Sequence, residues 1–363
     1  MENEKLRAIG LMSGTSLDGV DAAWIETDGE RVFATGPALT MPYDDLLRSD
    51  LRRLLDLAPG MTADNPLVAD VTARLTRRHV EAVAAIGRPA DIIGFHGQTI
   101  LHAPAERRTW QIGDAAALAA ASGTQVAYDF RTADVAAGGE GAPLVPIFHA
   151  ALAANLESPL AVLNLGGVGN VTWIGRDGTL LAFDTGPGNG PLDDWVAART
   201  NLAFDLDGQV SAQGRVDAAV LARLMAHPYF ARLPPKSLDR LDFARALEAS
   251  GVAALSIADG AATLVAFTAA AAASARLPEA PRRWLVTGGG RLNPTIMAAL
   301  QARLGVPVEP VEAVGWNGDA LEAQCFGLLA VRVLRGLPLS FPGTTGAPRP
   351  LPGGRLTGTA PSP

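Results

Sequence analysis

A turn near the start of the chain, Gly14–Gly19, has the residue types of a phosphate-binding loop. Its glycines allow close backbone approach, and the N–H groups of tight turns can form concavities that bind anions. Thr15 and Ser16 add hydroxyl donors, and Asp18 could hold a hydrated magnesium ion. An ordinary hairpin with a polar turn would contain the same residues, so this motif alone leaves both interpretations open.

Several other catalytic motifs are absent from the sequence. It has no Gly-x-x-x-x-Gly-Lys-Ser/Thr loop, no Gly-x-Ser-x-Gly elbow and no His-Glu-x-x-His or paired-cysteine motif. Gly166–Gly169 lacks the remaining spacing of the dinucleotide fingerprint. Lys236, beside two prolines, is either a substrate contact or a solvated loop lysine. A phosphate-binding chemistry without lysine, with magnesium brought in by a nucleotide, is the option that stays open.

The composition indicates a globular chain with an acidic surface. Its 363 residues are 48% hydrophobic and 18% charged, which is enough to bury a sizeable core. The net charge of −7 argues against nucleic acid or an anionic membrane as a partner, because both need a basic face. Cys325 is the single cysteine, and no apolar run near the N-terminus is long enough for a signal peptide. We therefore expect a cytoplasmic protein.

Short apolar strands alternate with helices, which predicts an α/β fold. Asn65 as N-cap, Pro66 at the first position and Gly87 after the end predict a helix over residues 66–86. His79 then occupies a packing position on the apolar face of that helix. Further helices are expected at Val216–Met225, Ala261–Ala275, Pro294–Leu304 and about Gly318–Leu334. Strands are expected at Ala8–Ser13, Val20–Ile25, Asp91–Phe95, Gln125–Phe130, Leu160–Leu165, Val171–Ile174, Leu180–Phe183 and Trp284–Val286.

Each half of the chain opens with a strand, a glycine-rich turn and a second strand, at residues 9–21 and 163–172. This weak repeat predicts either two similar domains whose hairpins face each other across a cleft or two unrelated hairpins. The Gly- and Pro-rich residues 131–146 are expected to join the domains. We place the N-terminal domain at residues 1–130 plus about 331–363, and the C-terminal domain at residues 131–330. The tail from Phe341 should be a wrapped or flexible extension.

The motifs of the chain resemble, in order, those of the anhydro-N-acetylmuramic acid kinases. Met12–Asp21 looks like the opening signature of that family. The motifs that follow lie at residues 94–99, 111–114, 129–134, 138–146, 164–170, 183–189, 227–230, 234–237, 287–293 and 345–348. The resemblance implies a two-domain actin-like ATPase fold of the sugar-kinase and Hsp70 type, with RNase H-like domains and an interdomain cleft. It also implies ATP and Mg²⁺ as cofactors.

The resemblance implies a specific reaction. In it, 1,6-anhydro-N-acetylmuramic acid, ATP and water give N-acetylmuramic acid 6-phosphate and ADP, in peptidoglycan recycling and amino-sugar catabolism. Two alternatives are an ordinary N-acetylhexosamine kinase of the same fold and a non-metabolic ATP-driven conformational switch. The expected partners are a small amino sugar and ATP, with no nucleic acid and no membrane, and a homodimer is an open possibility.

The resemblance also implies roles for individual residues. Asp184, expected to end a strand before a Gly-Pro-Gly turn, would be the general base that takes a proton from the attacking water. Its alternative is a carboxylate that caps the turn. Asp18 is the candidate magnesium carboxylate. The expected ATP-binding residues are Gly14, Thr15, Ser16, Leu17, Asp18, Gly19, Val20, Asp21, Gly166, Gly167, Gly288 and Gly289.

Substrate contacts are expected from His96, Gln98, Arg131, Asn189 and Glu322. Arg131 could pair with the lactyl carboxylate of the sugar, or form a hinge salt bridge with Asp129 or Asp134. His96 and Gln98 are expected just past a strand end, where polar side chains can line a cleft and contact sugar hydroxyls. Glu322 has a second interpretation as a carboxylate favoured at a helix N-terminus.

Overall fold

The computed structural model describes residues 4–14, 17–238 and 243–358. The chain divides into two compact units. Unit 1 comprises Met1–Ala154 and Ala320–Pro363, and unit 2 comprises Asn155–Asp319. Residues 131–154 and 320–330, which the sequence analysis gave to the C-terminal domain, thus belong to unit 1. The reason is that Arg131 is hydrogen-bonded to His96 and that the helix after residue 320 packs on the sheet of unit 1.

Strands and helices alternate along the described residues, as the apolar pattern predicts. The strands are β1 (Leu6–Ser13), β2 (Gly19–Thr27), β3 (Val32–Pro42), β4 (Ile92–Ala103), β5 (Arg108–Ile112), β6 (Val126–Tyr128), β7 (Leu160–Leu165), β8 (Val168–Ile174), β9 (Leu180–Pro187), β10 (Trp284–Thr287), β11 (Val308–Pro310) and β12 (Arg355–Leu356). The helices are α1 (Asp45–Leu57), α2 (Pro66–Ile86), α3 (Ala115–Ser122), α4 (Thr132–Ala136), α5 (Pro146–Leu152), α6 (Gly190–Arg199), α7 (Ala218–Met225), α8 (Ala244–Ser250), α9 (Ile257–Ala273), α10 (Pro294–Leu304), α11 (Leu321–Leu334) and α12 (Pro342–Thr345).

Each unit contains a sheet of the same topology. In unit 1 the strand order is β12-β6-β4-β1-β2-β3, with β5 added to β4. The first three strands pair antiparallel, whereas β4 runs parallel to β1 and β6 parallel to β4. Unit 2 repeats this pattern in the order β11-β10-β7-β8-β9. This is the RNase H-like arrangement, so the predicted fold class is confirmed within each unit.

In unit 1, helix α11 packs directly on the sheet backbone. A Cβ atom at Gly10 of β1 would lie 1.7 Å from the carbonyl oxygen of Ala323, and one at Gly94 of β4 would lie 1.9 Å from that of Phe326. Both positions therefore require glycine. A core that includes Leu11, Leu75 and Phe95 joins the sheet to α1, α2 and α3.

Helix α2 begins and ends where its capping signals predict. Asn65 accepts a hydrogen bond from the Leu67 N–H, and Gly87 closes the helix in the left-handed region with φ of 62°. His79 is fully buried in the core, where its ring lies edge-on to Phe95. The packing role predicted for this histidine thus agrees with its position.

In unit 2, helix α9 is buried along nearly its whole length against the sheet and its neighbouring helices. Its small apolar residues suit this central position, because they let several elements approach at once. Among the described residues, no helix combines the length and the apolar character that crossing a membrane requires.

Three expected boundaries were wrong. Strand β4 continues through pairing with β5, and β9 continues through pairing with β8, so the polar residues expected after these strands lie within them. Residues 131–146 contain helix α4 and are not a linker between the units. The tail is wrapped as far as it is described, because β12 pairs with β6.

Candidate active site

The loop between β1 and β2 is held in place by hydrogen bonds from residues that follow β3. The Tyr43 N–H donates to the Asp18 carbonyl oxygen at 3.1 Å, and Arg48 Nε donates to the Leu17 carbonyl oxygen at 3.0 Å. Leu17 is buried and has a positive φ of 56°, which a non-glycine residue adopts only when its surroundings hold it there. Thr15 and Ser16 lie outside the described residues. The described part of this loop is thus anchored at its second half, with Gly14 and Gly19 on either side.

The side chains of this segment differ in their exposure to solvent and in their hydrogen-bond partners. Asp18 is exposed, whereas Val20 is fully buried within β2, so a contact of Val20 with ATP stays a prediction. Asp21 lies in β2 and accepts a hydrogen bond from Thr40 Oγ1 at 2.6 Å. Within the described residues, no group of three or more His, Cys, Asp or Glu side chains could hold a metal ion by itself. The candidate magnesium ligand is therefore the single carboxylate of Asp18.

A buried hydroxyl cluster lies at the end of β1. Ser13 Oγ is 2.5 Å from Tyr43 Oη and donates to Gln98 Oε1. Burial raises the pKa of Tyr43 above its ordinary value, so the phenol stays protonated. Gln98 is fully buried and its amide also donates to the Thr99 carbonyl oxygen. Gln98 thus supports Ser13, and its contact with the sugar stays a prediction.

His96, which is buried, and Arg131, which is partly buried, form a hydrogen-bonded pair. Arg131 Nε donates to His96 Nε2 at 3.1 Å, so His96 carries its proton on Nδ1, which donates to the Gly97 carbonyl oxygen at 2.8 Å. Burial, followed by the charge of Arg131, lowers the pKa of His96 well below its ordinary value. A neutral imidazole with both nitrogens engaged can orient Arg131, and a direct bond to the sugar stays a prediction for His96.

Arg131 lies at the start of α4 and forms no direct ion pair with a carboxylate in the described part of unit 1. Its Nη1 donates to the Gly141 carbonyl oxygen at 2.7 Å. Asp134 instead accepts from the Gly141 N–H and from Thr345 Oγ1, and Asp129 pairs with Arg355. The alternative of a salt bridge from Arg131 to either aspartate is therefore wrong.

Two further features of unit 1 concern ligand binding. Glu322 lies exposed in the first turn of α11 and interacts electrostatically with Asp21 and Arg131. A cavity of about 260 Å³ is lined by His96, Thr109, Trp110, Gln111 and Tyr128, among other residues. It combines aromatic faces with amide and hydroxyl groups, the usual lining of a small polar ligand's site.

In unit 2, three glycine loops meet at one place. The Asn189 N–H donates to the Gly166 carbonyl oxygen at 2.7 Å, and Asn189 Nδ2 donates to that of Leu165 at 3.2 Å. Gly288, with φ of 74°, lies close to the end of the same strand. A Cβ atom added to Gly288 would lie 2.5 Å from Asn164 Oδ1. The structure thus brings the predicted residues Gly166, Gly167, Gly288 and Gly289 together, and it groups Asn189 with them.

A cavity of about 470 Å³ opens beside these loops. Phe204, Leu206, Leu292 and Ile296 give it a mostly apolar lining, and Asn189 and Gly289 lie at one side. The Oδ1 atom of Asn189 is buried and has no hydrogen-bond partner among the described residues. An unpaired buried acceptor is costly, which indicates that a ligand donor would be favoured there.

Asp184 lies within β9, opposite Asn170 of β8, and is half-buried. Its Oδ2 accepts a hydrogen bond from the Leu238 N–H at 2.8 Å, and its own N–H donates to the Lys236 carbonyl oxygen at 3.0 Å. Burial raises the pKa of Asp184 to about 6, although the Leu238 bond opposes this change. A carboxylate with such a pKa is ionised at neutral pH and is a better base than an ordinary aspartate.

Residues 6–357 match the family model described as anhydro-N-acetylmuramic acid kinase. The chain belongs to the anhydro-N-acetylmuramic acid kinase family. A protein of that name from Acidiphilium cryptum is 64% identical over 357 residues, covering 98% of this chain and 99% of the relative. Another from Rhodospirillum rubrum is 57% identical over 354 residues, covering 96% and 93%. The chain is thus an enzyme, a sugar kinase that uses ATP.

The solved structures that are similar to this kinase have low sequence identity to it. The activator of the 2-hydroxyisocaproyl-CoA dehydratase from Clostridium difficile, with bound ADPNP, is 12% identical with a TM-score of 0.44, covering 91% of this chain and 96% of that one. A ROK family glucokinase from Streptomyces griseus, in complex with glucose and AMPPNP, is 13% identical with a TM-score of 0.37, covering 89% and 99%.

Several residues of the kinase with positions at these sites were missed by the sequence analysis. Tyr43, which follows β3, and Arg48 of α1 support the first loop. Arg291 is buried and donates to the Gly288 carbonyl oxygen at 3.0 Å, while it pairs with Glu312 and Asp319. Its position directly after Gly288–Gly290 was the one local signal, whereas Tyr43 and Arg48 had none.

Proposed function

We propose that this kinase opens 1,6-anhydro-N-acetylmuramic acid with water and phosphorylates the released O6 with ATP. The products are N-acetylmuramic acid 6-phosphate and ADP, and the reaction serves peptidoglycan recycling and amino-sugar catabolism. The observation that carries this proposal is Asp184, a half-buried carboxylate of raised pKa in a chain of this family.

The proposed reaction couples the addition of water at C1 to the transfer of the γ-phosphoryl group to O6. The water oxygen bonds to the anomeric carbon C1 while one water proton passes to the Asp184 carboxylate. The bond between C1 and O6 breaks, and O6 bonds to the γ-phosphorus of ATP. The bond from that phosphorus to the β,γ-bridging oxygen breaks, and ADP leaves. Because O6 leaves as an anion that attacks at once, no separate strong acid is required.

The proposed site of ATP combines the glycine loops with the apolar cavity of unit 2. Phe204 and Leu292 offer apolar surface of the kind that an adenine ring prefers, and the unpaired Oδ1 of Asn189 can accept a hydrogen bond from the nucleoside. Asn189 thus becomes a nucleotide contact in this proposal. In unit 1, the anchored loop from Gly14 to Gly19 would bind phosphate oxygens through backbone N–H groups.

Magnesium is proposed to accompany the nucleotide. Mg²⁺ is commonly bound by one or two carboxylates together with substrate phosphates, and the exposed Asp18 fits that donor set. When bound, the ion would neutralise phosphate charge.

The sugar is proposed to bind at the cavity of unit 1. Trp110 and Tyr128 provide aromatic faces for the C–H surface of a sugar ring, and Gln111 and Thr109 provide polar groups. Arg131 forms no direct ion pair within the described residues, although Glu322 and Asp134 act on it electrostatically, and this supports its pairing with the lactyl carboxylate. Glu322 stays a proposed contact of this substrate.

The reaction is tested by following the oxygen of water. With H₂¹⁸O, the label should enter the C1 hydroxyl of the product and be absent from its phosphate, if the product is trapped before the hemiacetal exchanges. Label in inorganic phosphate would indicate plain ATP hydrolysis. N-acetylmuramic acid and N-acetylglucosamine are the control substrates, and equally fast phosphorylation of either would favour an ordinary N-acetylhexosamine kinase.

A further inference from the structure

We propose that Lys236 and Tyr229 are positioning residues that hold the Asp184 carboxylate in place as the general base. This inference rests on the proposed function, because it concerns the residue assigned there to proton removal. All of the groups involved lie in unit 2.

The segment 229–238 is tied to Asp184 by three hydrogen bonds. Tyr229 Oη donates to the Asp184 carbonyl oxygen at 2.5 Å. The Asp184 N–H donates to the Lys236 carbonyl oxygen, and the Leu238 N–H donates to Asp184 Oδ2. The backbone of Asp184 is thus fixed on both sides, and its side chain is fixed by the segment that contains Lys236.

The Lys236 side chain bonds back to Tyr229, at the start of the same segment. Its Nζ donates to the Tyr229 carbonyl oxygen at 3.1 Å and lies 4.3 Å from the centre of the Tyr229 ring. It also lies 6.0 Å from the ring of Phe183, the residue before Asp184. One ammonium group therefore contacts the donor to the Asp184 carbonyl and the strand that carries Asp184.

The burial of Lys236 is costly and is not explained by an ion pair. The residue is only 9% exposed, and no carboxylate of the described residues lies within ion-pair distance of it. The charged groups that act on it are Arg232 and Arg276, both cations, and burial lowers its pKa. An apolar side chain of similar length would fill the space without this cost, so the ammonium has a role other than packing.

Tyr229 is itself held rigidly. It is 3% exposed, and its ring packs edge-on against Phe230 and Phe243 at 5.9 and 6.0 Å. A rigid ring gives the ammonium a fixed partner and gives the Asp184 carbonyl a fixed donor. Precise placement matters here, because a displacement of about 1 Å at a reacting group can cost about 10²-fold in rate.

The test replaces Lys236 with methionine, which is unbranched and only one atom shorter and removes the charge. If the segment shifts without the ammonium, the hydrogen bond from the Leu238 N–H to Asp184 Oδ2 weakens, and the loss of that bond destabilises the Asp184 carboxylate. We expect kcat to fall about 10²-fold and the acidic limb of the pH profile of kcat/KM to move to higher pH. The Kd for ATP, measured by calorimetry, should not change.

Lys5→Met is the matched control, because Lys5 is the other lysine of the chain and is 54% exposed in unit 1. Its profile should match that of the unchanged enzyme. An acidic limb in folded Lys236→Met that stays in place, or moves to lower pH, would overturn the inference even if kcat falls.

Tyr229→Phe keeps the proposal testable if Lys236→Met fails to fold. It preserves the ring and removes only the hydroxyl donor, so kcat should fall on the order of tenfold with ATP binding retained. Full activity of this variant would overturn the inference. An active Asp184→Asn enzyme would instead overturn the proposed function, which distinguishes the two failures.

Discussion

Asp184 accepts a hydrogen bond from the Leu238 backbone and lies in a half-buried strand position, so an amide of the same shape can replace it. In Asp184→Asn the general base is lost, and ring opening and ADP release should fall together by about 10²–10⁴-fold. ATP binding should persist, because the cavity beside Gly289 does not include Asp184. Coupled detection of ADP measures the rate and calorimetry measures the binding. An asparagine variant with full activity would assign the base to another residue.

The raised pKa of Asp184 predicts the pH dependence of the enzyme. Below pH 6 the carboxylate is largely protonated and cannot accept a proton, whereas above pH 6 it is ionised. The value of kcat/KM for the sugar should therefore rise with pH through a midpoint of about 6. Stopped assays between pH 4.5 and 8, with stability checked at each pH, measure the profile. A profile that is flat across this range would contradict a titrating base at Asp184.

At the residue scale, the sequence predicted the types of the site residues better than their surroundings. Asp184 and Arg131 were predicted from local motifs and from the resemblance, and their roles stay predictions. Gln98 was expected just past a strand end, but β4 continues through it and buries it beside Ser13. Lys236 was left open between a substrate contact and a solvated loop lysine. Its burial could not be predicted, because the Tyr229 ring that covers it lies seven positions earlier and is brought there by tertiary packing.

At the scale of elements, the contact between α11 and the sheet of unit 1 depends on glycines, because any side chain there would overlap the helix. In Gly10→Ala the new Cβ atom would overlap the carbonyl oxygen of Ala323, so the helix must move away from β1. We expect a loss of about 3 kcal/mol or more in the free energy of unfolding. Gly60→Ala is the control, because nothing lies within 4 Å of its added Cβ atom. Chemical denaturation of both variants gives the comparison, and equal stabilities would show that α11 can shift at little cost.

The sequence was most informative where an element carries its own boundaries. Helix α2 has a capping asparagine, a proline at its first position and a closing glycine, and each of these acts within a few residues of the helix end. Strands β4 and β9 have no such signals at their true ends. Instead, Gly97 and Gly186 suggest turns at positions where the strands in fact continue. The pairing that extends these strands comes from β5 and β8, and a pairing partner cannot be seen in the strand's own sequence.

At the scale of the whole molecule, the two units differ in how the chain composes them. Residues 155–319 form unit 2 without interruption and contain its whole sheet, so this fragment should fold alone with a cooperative thermal transition. Residues 1–154 lack α11 and β12, so they should not. Circular dichroism and calorimetry of the two fragments test this difference. A cooperative transition in 1–154, or none in 155–319, would contradict it.

The return of the chain to unit 1 has a consequence for biosynthesis. The ribosome completes the first six strands early, but the helix that covers Gly10 and Gly94 is translated only after all of unit 2. At about 5–20 residues per second, this face of the nascent sheet stays uncovered for roughly ten to thirty seconds. During that interval it offers an apolar surface to chaperones and to other nascent chains. The translation of α11 thus determines when this apolar face is covered and when the nascent enzyme stops exposing it to aggregation.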